Sequence, residues 1–199
     1  MEKFEKYKDF SKSIRRNIIF MGKYGGSNSA HIGGALSLAD IFSVLFSDFF
    51  EITKGALDND RIILSKGHAC LALYSILFEN NIISENDMKN FEKPGSRLLG
   101  HPVKNKEISI DFSTGSLGMG LGLGIGLAYA LKKKKIQKKV FVVLGDGECN
   151  EGSVWEALML APKLKLDNLC AIIDMNGFQQ TGSTDDILTN NNLLEKVSS

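Results

Sequence analysis

Near the start of the chain, Phe10, Ile14, Ile18 and Met21 fall on one helical face at spacings of four and three. The pattern predicts a helix ended by Gly22, Gly25 and Gly26. A Gly-rich turn, Ala30-His31-Ile32-Gly33-Gly34, is expected next. Ser37 with Asp40 should open a second helix as a capping box, running to about Phe46. Arg61 to Leu64 (RIIL) reads as a short strand, followed by Ser65-Lys66-Gly67-His68 and a helix through about Phe78. Ser84 with Asp87 caps another short helix. Arg97 to Lys106, which contains Gly100-His101-Pro102, and Asp111 to Gly118 read as loops.

The pattern changes at Gly118. Glycines at 118, 120, 122, 124 and 126 punctuate a segment that is otherwise helical. Each costs about 1 kcal/mol against alanine, so another backbone or a ligand is expected to come close. Their even spacing allows no GxGxxG dinucleotide fingerprint. Beyond them, Val140 to Leu144 (VFVVL) and Leu169 to Ile173 (LCAII) are continuous apolar runs on either side of a helical segment from Gly152 to about Lys163. This is a βαβ unit of an α/β fold, its strands expected to be buried on both faces as in a parallel sheet. No internal repeat or low-complexity linker is seen.

Composition adds mainly exclusions. The 199 residues are 43% apolar and 24% charged with a net charge of +1, the profile of an ordinary globule. Nothing points to nucleic acid, and the basic run Lys132 to Lys135 reads as a solvated helix end. Three cysteines, Cys70, Cys149 and Cys170, with no CxxC, argue for reduced thiols and a cytoplasmic location. Charges in MEKFEKYKDF oppose a signal peptide. No apolar run approaches the ~20 residues of a membrane span, so no membrane partner is expected.

The chemistry concentrates where the two strands end, at Gly145-Asp146-Gly147 and Asp174-Met175-Asn176. Parallel strands joined by one helix end on the same sheet edge, where α/β proteins bind ligands. Neighbouring strands lie ~4.8 Å apart, so one cation can touch Asp146 and Asn176 together. An aspartate, an amide oxygen and a backbone carbonyl form a hard oxygen set suited to magnesium and substrate phosphates. The flanking glycines let a diphosphate approach the backbone, and the helix from Gly152 offers it free N–H groups.

Gly145-Asp146-Gly147, then 28 residues, then Asn176, is similar to the diphosphate motif of thiamine-diphosphate enzymes. GDGECNEGSVWEA with DMNGFQQTG, together with SAHIGGALS, LSKGHA, GHP and TGSLGMGLGLGIGLA, resembles transketolase in that family's order, over roughly residues 14 to 182. The resemblance implies a three-layer α/β/α fold with a mostly parallel sheet, the thiamine-diphosphate-binding fold. Residues 1 to 199 would be one diphosphate-binding domain with a helical N-terminal segment of about 1 to 50. It implies Asp146, Asn176 and the carbonyl of Phe178 as ligands of Mg2+, or of Ca2+ or Mn2+ in its place. Gly145, Gly147 and Glu148 would contact thiamine diphosphate. Gly115, Ser116 and Leu117 would flank its aminopyrimidine. His31, His68 and His101 would surround the thiazolium and the sugar, and Glu151 would lie at a subunit contact that communicates with the cofactor. The activity implied is transfer of a two-carbon ketol unit from a ketose phosphate to an aldose phosphate.

Some positions depart from the family. Ala30 stands where glycine is usual, Ser116 where proline is, and Met119 where glutamine is. Nothing corresponds to the pyrimidine-binding domain with its activating glutamate, and the chain ends soon after Gly182. A second polypeptide carrying the pyrimidine and C-terminal domains is therefore expected as partner, in a dimer of heterodimers, with the isolated chain inactive. The rival readings are another thiamine-diphosphate enzyme, such as a deoxyxylulose-phosphate synthase or a 2-oxo acid decarboxylase, and a truncated, non-catalytic cofactor-binding subunit. Cys149 reads as a spectator thiol and Trp155 as core.

Overall fold

A computed structural model describes residues 1–25, 30–50, 52, 59–188 and 192–198. Gly26 and Ser29, named above, lie outside them. The chain forms two compact units, Met1–Asp60 with Gly67–Gly115, and Arg61–Lys66 with Ser116–Ser199.

The first unit is helical. Helix α1, Glu2–Tyr24, buries Ile14, Ile18 and Met21 completely, the face set by the apolar spacing. It does not stop at Gly22. A Cβ there would lie 2.9 Å from Ile32 Cδ1, so that glycine serves the close approach of helix α2, Ile32–Leu36. The expected turn at His31-Ile32-Gly33-Gly34 is thus mostly helix, with His31 as its N-cap residue. Helix α3, Leu38–Val44, follows and widens into a π-turn over Leu45–Phe49. The capping box at Ser37 and Asp40 is absent. Ser37 is itself helical and its hydroxyl donates to the Gly34 carbonyl, while Asp40 accepts from Arg15 at 2.8 Å. A contact with a distant helix has claimed the side chain that local spacing assigned to the cap.

Among the described residues, Ile32–Phe49 is long and apolar enough to cross a membrane, with mean hydropathy 1.5 over 18 residues. This corrects the sequence expectation, which treated Asp40 and Asp48 as interruptions of the run. Asp48 pairs with Lys3 at 2.6 Å and Asp40 with Arg15, while Leu38, Ala39 and Phe42 are fully buried. The stretch is a core helix that packs on α1. Helix α4, Cys70–Glu79, is buried on every side from Cys70 to Leu77 and packs on α1. Helix α5, Glu85–Lys89, starts at the expected capping box. The Asp87 N–H donates to Ser84 Oγ at 3.2 Å and the Ser84 N–H to Asp87 Oδ2 at 2.7 Å.

The second unit holds a parallel sheet in the order β1-β2-β3, formed by Arg61–Leu64, Val140–Gly145 and Leu169–Asp174. The register sets Leu64 beside Val143 and Gly145 beside Asp174. Helix α6, Met119–Lys133, lies against β2, and α7, Gly152–Lys163, packs on α6. The glycines of α6 divide by neighbour. A Cβ on Gly124 would overlap Val142 Cγ2 and one on Gly120 would overlap Ser65 Oγ, but Gly122 and Gly126 face nothing within 4 Å. Strand β2 is buried along its whole length, as expected. Strand β3 is not, because Cys170 and Ala171 are exposed. Among the described residues it pairs only with β2, so one of its edges goes without a neighbouring strand. A short hairpin, β4 (Phe178–Gln179) and β5 (Gly182–Ser183), and helices α8 (Thr184–Leu188) and α9 (Leu193–Ser198) complete the unit.

Candidate functional site

In the helical unit, the three histidines of the chain converge. The His31 ring centroid lies 5.4 Å from that of His68 and 6.1 Å from that of His101, both pairs edge to face. Each histidine comes from a different segment: the N-terminus of α2, a 3₁₀ turn at Gly67–Ala69 ahead of α4, and the loop after α5. The last loop is anchored from behind. Tyr74 Oη donates to the Leu99 carbonyl at 2.7 Å, Cys70 Sγ to the Gly100 carbonyl at 3.1 Å, and the Gly100 N–H to Glu92. Gly115 lies flat against His101, where a Cβ would come within 3.0 Å of Cδ2, and Gly67 faces the Thr114–Gly115 backbone at 2.8 Å. Burial pushes the Cys70 thiol up to about 12, so it serves as a neutral donor rather than a nucleophile.

In the sheet unit, β2 and β3 end side by side. The Asp146 N–H donates to the Asp174 carbonyl at 3.1 Å. The Asp146 carboxylate, 4% exposed, accepts from the Gly147 N–H at 2.9 Å and the Gly177 N–H at 2.7 Å. Asn176 Oδ1 accepts from the Phe178 N–H at 2.9 Å. Asp146 and the Asn176–Phe178 turn therefore form one local structure. A Cβ on Gly147 would lie 2.7 Å from Gln179 Oε1, so the loop is held close to the β4 strand. Ser116 and Leu117 are exposed just ahead of α6. Glu151 is exposed as the N-cap residue of α7. Glu148 is buried, and its carboxylate accepts from the Ser65 hydroxyl and the Gly118 and Gly145 amides.

A family model described as "Transketolase, thiamine diphosphate binding domain" matches residues 11–196. The chain belongs to the transketolase family. One of the two-chain relatives, an apulose-4-phosphate transketolase subunit of Actinobacillus succinogenes, is 37% identical over 189 residues, which span 94% of this chain and 68% of that protein. Mus musculus transketolase is 42% identical over 186 residues, or 90% of this chain but 29% of that enzyme. Among solved structures, transketolase from Leishmania mexicana superposes with a TM-score of 0.86 at 28% identity, covering 96% of this chain and 30% of that one. The chain thus spans about a third of full-length transketolases and corresponds to their N-terminal, thiamine-diphosphate-binding part. The α/β fold with its parallel sheet agrees with that family.

The sheet-edge residues fit the cofactor chemistry of transketolases. One carboxylate, one amide oxygen and one backbone carbonyl suit a hard cation that keeps room for phosphate oxygens. No group of three His, Cys, Asp or Glu side chains converges on a metal position among the described residues, so a site made of softer ligands has no counterpart here. Cys149 is buried, and burial beside Glu148 and Asp146 pushes its thiol up to about 12, as befits a spectator. Trp155 is only half-buried, and its Nε1 donates to the Cys149 carbonyl at 2.9 Å, so it braces the loop rather than filling the core.

Sequence reasoning missed the charges beneath the site. Lys66 Nζ, 1% exposed, pairs with Asp174 Oδ2 at 2.7 Å, joining the ends of β1 and β3 beneath the end of β2. Both residues stand in motifs already singled out, LSKGHA and DMN. The available signal was an opposite-charge pair directly after two apolar strand runs.

Proposed function

We propose that this chain binds thiamine diphosphate through magnesium and, with a partner chain that supplies the pyrimidine and C-terminal domains, transfers a two-carbon ketol unit between sugar phosphates. The observation that carries this reading is the register of β2 and β3. It sets Gly145 beside Asp174 and ties the Asp146 carboxylate to the Gly177 amide, within one residue of Asn176. Asp146, Asn176 and the Phe178 carbonyl hold the cation. Gly145 and Gly147, without side chains, admit the diphosphate, and Ser116 and Leu117 flank its organic part. When bound, the cofactor supplies the electron sink for carbon–carbon cleavage. The chain's own residues orient it, and His31, His68 and His101 hold and move protons on sugar hydroxyls near neutral pH. Two relatives of similar extent, from Actinobacillus succinogenes and Phocaeicola vulgatus, are each named as one subunit of a transketolase, which supports a division of the enzyme between two chains.

Titrating thiamine diphosphate into the chain with and without magnesium tests the site. Binding should require the cation and should be abolished in Asp146→Ala, and unchanged affinity in that variant would overturn the assignment. A donor screen of the chain with its partner should favour sugar phosphates over pyruvate.

A further inference from the structure

Glu148 sits at the centre of the sheet unit's functional edge, yet it points inward. It is 2% exposed. Oε1 accepts from the Gly118 N–H at 2.8 Å and from the Ser65 hydroxyl, and Oε2 accepts from the Gly145 N–H at 3.1 Å. Ser65, fully buried at the end of β1, passes the connection on, since its Oγ accepts from the Gly120 N–H at 3.1 Å. One carboxylate thereby gathers the end of β1, the last residue of β2 and the first turn of α6. The close approach requires glycine. A Cβ on Gly120 would overlap Ser65, and one on Gly118, where φ is +80°, would overlap Ser153 and Glu151.

All the groups facing the carboxylate are donors. Only an acceptor on both oxygens satisfies them, so a glutamine of the same shape sets an NH2 against an N–H on one side. The amides it holds belong to the loops on either side of the proposed cofactor position, Ser116–Gly118 and Gly145–Gly147. We propose that Glu148, relayed through Ser65, is a positioning residue that fixes these two loops in their binding arrangement before the cofactor arrives, without touching it. The inference rests on the cofactor reading above and adds to it a reason for the buried charge.

The test uses the full chain and magnesium thiamine diphosphate, with binding read from the fluorescence of Trp155, which bonds to the loop at Cys149. The comparison is of wild type, Glu148→Gln, and Val140→Ala, a core truncation at the far end of β2. Affinities are taken at a temperature where each variant is folded, and amide hydrogen exchange is followed over 116–120 and 145–149 without cofactor. Glu148→Gln should bind about tenfold more weakly, the equivalent of one lost charge-assisted hydrogen bond, and should exchange faster at Gly118, Gly120 and Gly145. Val140→Ala should lose thermal stability but bind like wild type. Ser65→Ala keeps the carboxylate and serves where Glu148→Gln does not fold, with an expected weakening of about threefold. Wild-type affinity in Glu148→Gln or Ser65→Ala, alongside a lowered melting temperature, would reduce Glu148 to a fold-holding residue and sink the proposal while leaving the cofactor reading intact. A wild-type chain that does not bind would overturn the cofactor reading, and this inference with it.

Discussion

Replacing Lys66 by methionine isolates one buried charge. The Lys66 side chain is 1% exposed and that of Asp174 is 7% exposed, with 2.7 Å between Nζ and Oδ2. Methionine matches the length of the lysine stem but leaves the Asp174 carboxylate without its ammonium in a site closed to water. Removing one partner of such a pair costs about 3–5 kcal/mol, because the remaining charge keeps its desolvation penalty and loses the compensation. For a chain of this size about 1 kcal/mol moves the melting temperature by about 2–4 °C, so Lys66→Met should melt about 6–20 °C lower. Asp174→Asn should cost less, since the amide oxygen still accepts from the lysine. The double variant should be more stable than the sum of the two losses, with a coupling of about 1–3 kcal/mol. Thermal and urea unfolding followed by circular dichroism measures all three. A loss below about 1 kcal/mol for Lys66→Met, or strict additivity in the double variant, would show that the pair is effectively solvated and refute the reasoning.

Two further outcomes follow from particular contacts. Gly122→Ala should raise stability by up to about 1 kcal/mol, since nothing stands within 4 Å of the added methyl and helix propensity improves. Gly120→Ala should lower stability, because the same methyl overlaps Ser65 Oγ and comes within 2.8 Å of the Ser65 Cα, and urea midpoints compare the two. The Arg97 guanidinium, with help from Ser84, holds the Asp87 carboxyl down to about 2. A depressed carboxylate stabilises the fold above its ordinary pKa near 4, and that contribution is lost as pH falls towards about 2. In Asp87→Asn the melting temperature should therefore fall less steeply between pH 4 and pH 2 than in wild type.

The sheet was legible because its strands are short apolar runs closed by polar punctuation. RIIL before Ser65 and VFVVL before Gly145-Asp146 each mark a strand with its functional end. The two Ser-x-x-Asp motifs had opposite fates. At Ser84 the local pattern decided the structure, while at Ser37 the aspartate was claimed by Arg15 from another helix. The burial of β3 was overread, since a continuous apolar run does not say how many strands flank it. The buried pairings were beyond reach, because Lys66 and Asp174 stand 108 residues apart and Ser65 and Glu148 stand 83 apart. Such contacts come from the parallel register, which no local window encodes.

The uncovered edge of β3 gives the molecule a built-in reporter. Of its three thiols, Cys70 and Cys149 are enclosed and shifted far from reactivity, while Cys170 stands open on that strand. An alkylating reagent applied to the native chain therefore marks a single address, and the rate of marking measures how open that side of the sheet is. Any strand laid alongside β3, from whatever source, would announce itself as a slower reaction at one cysteine, with no mutation required.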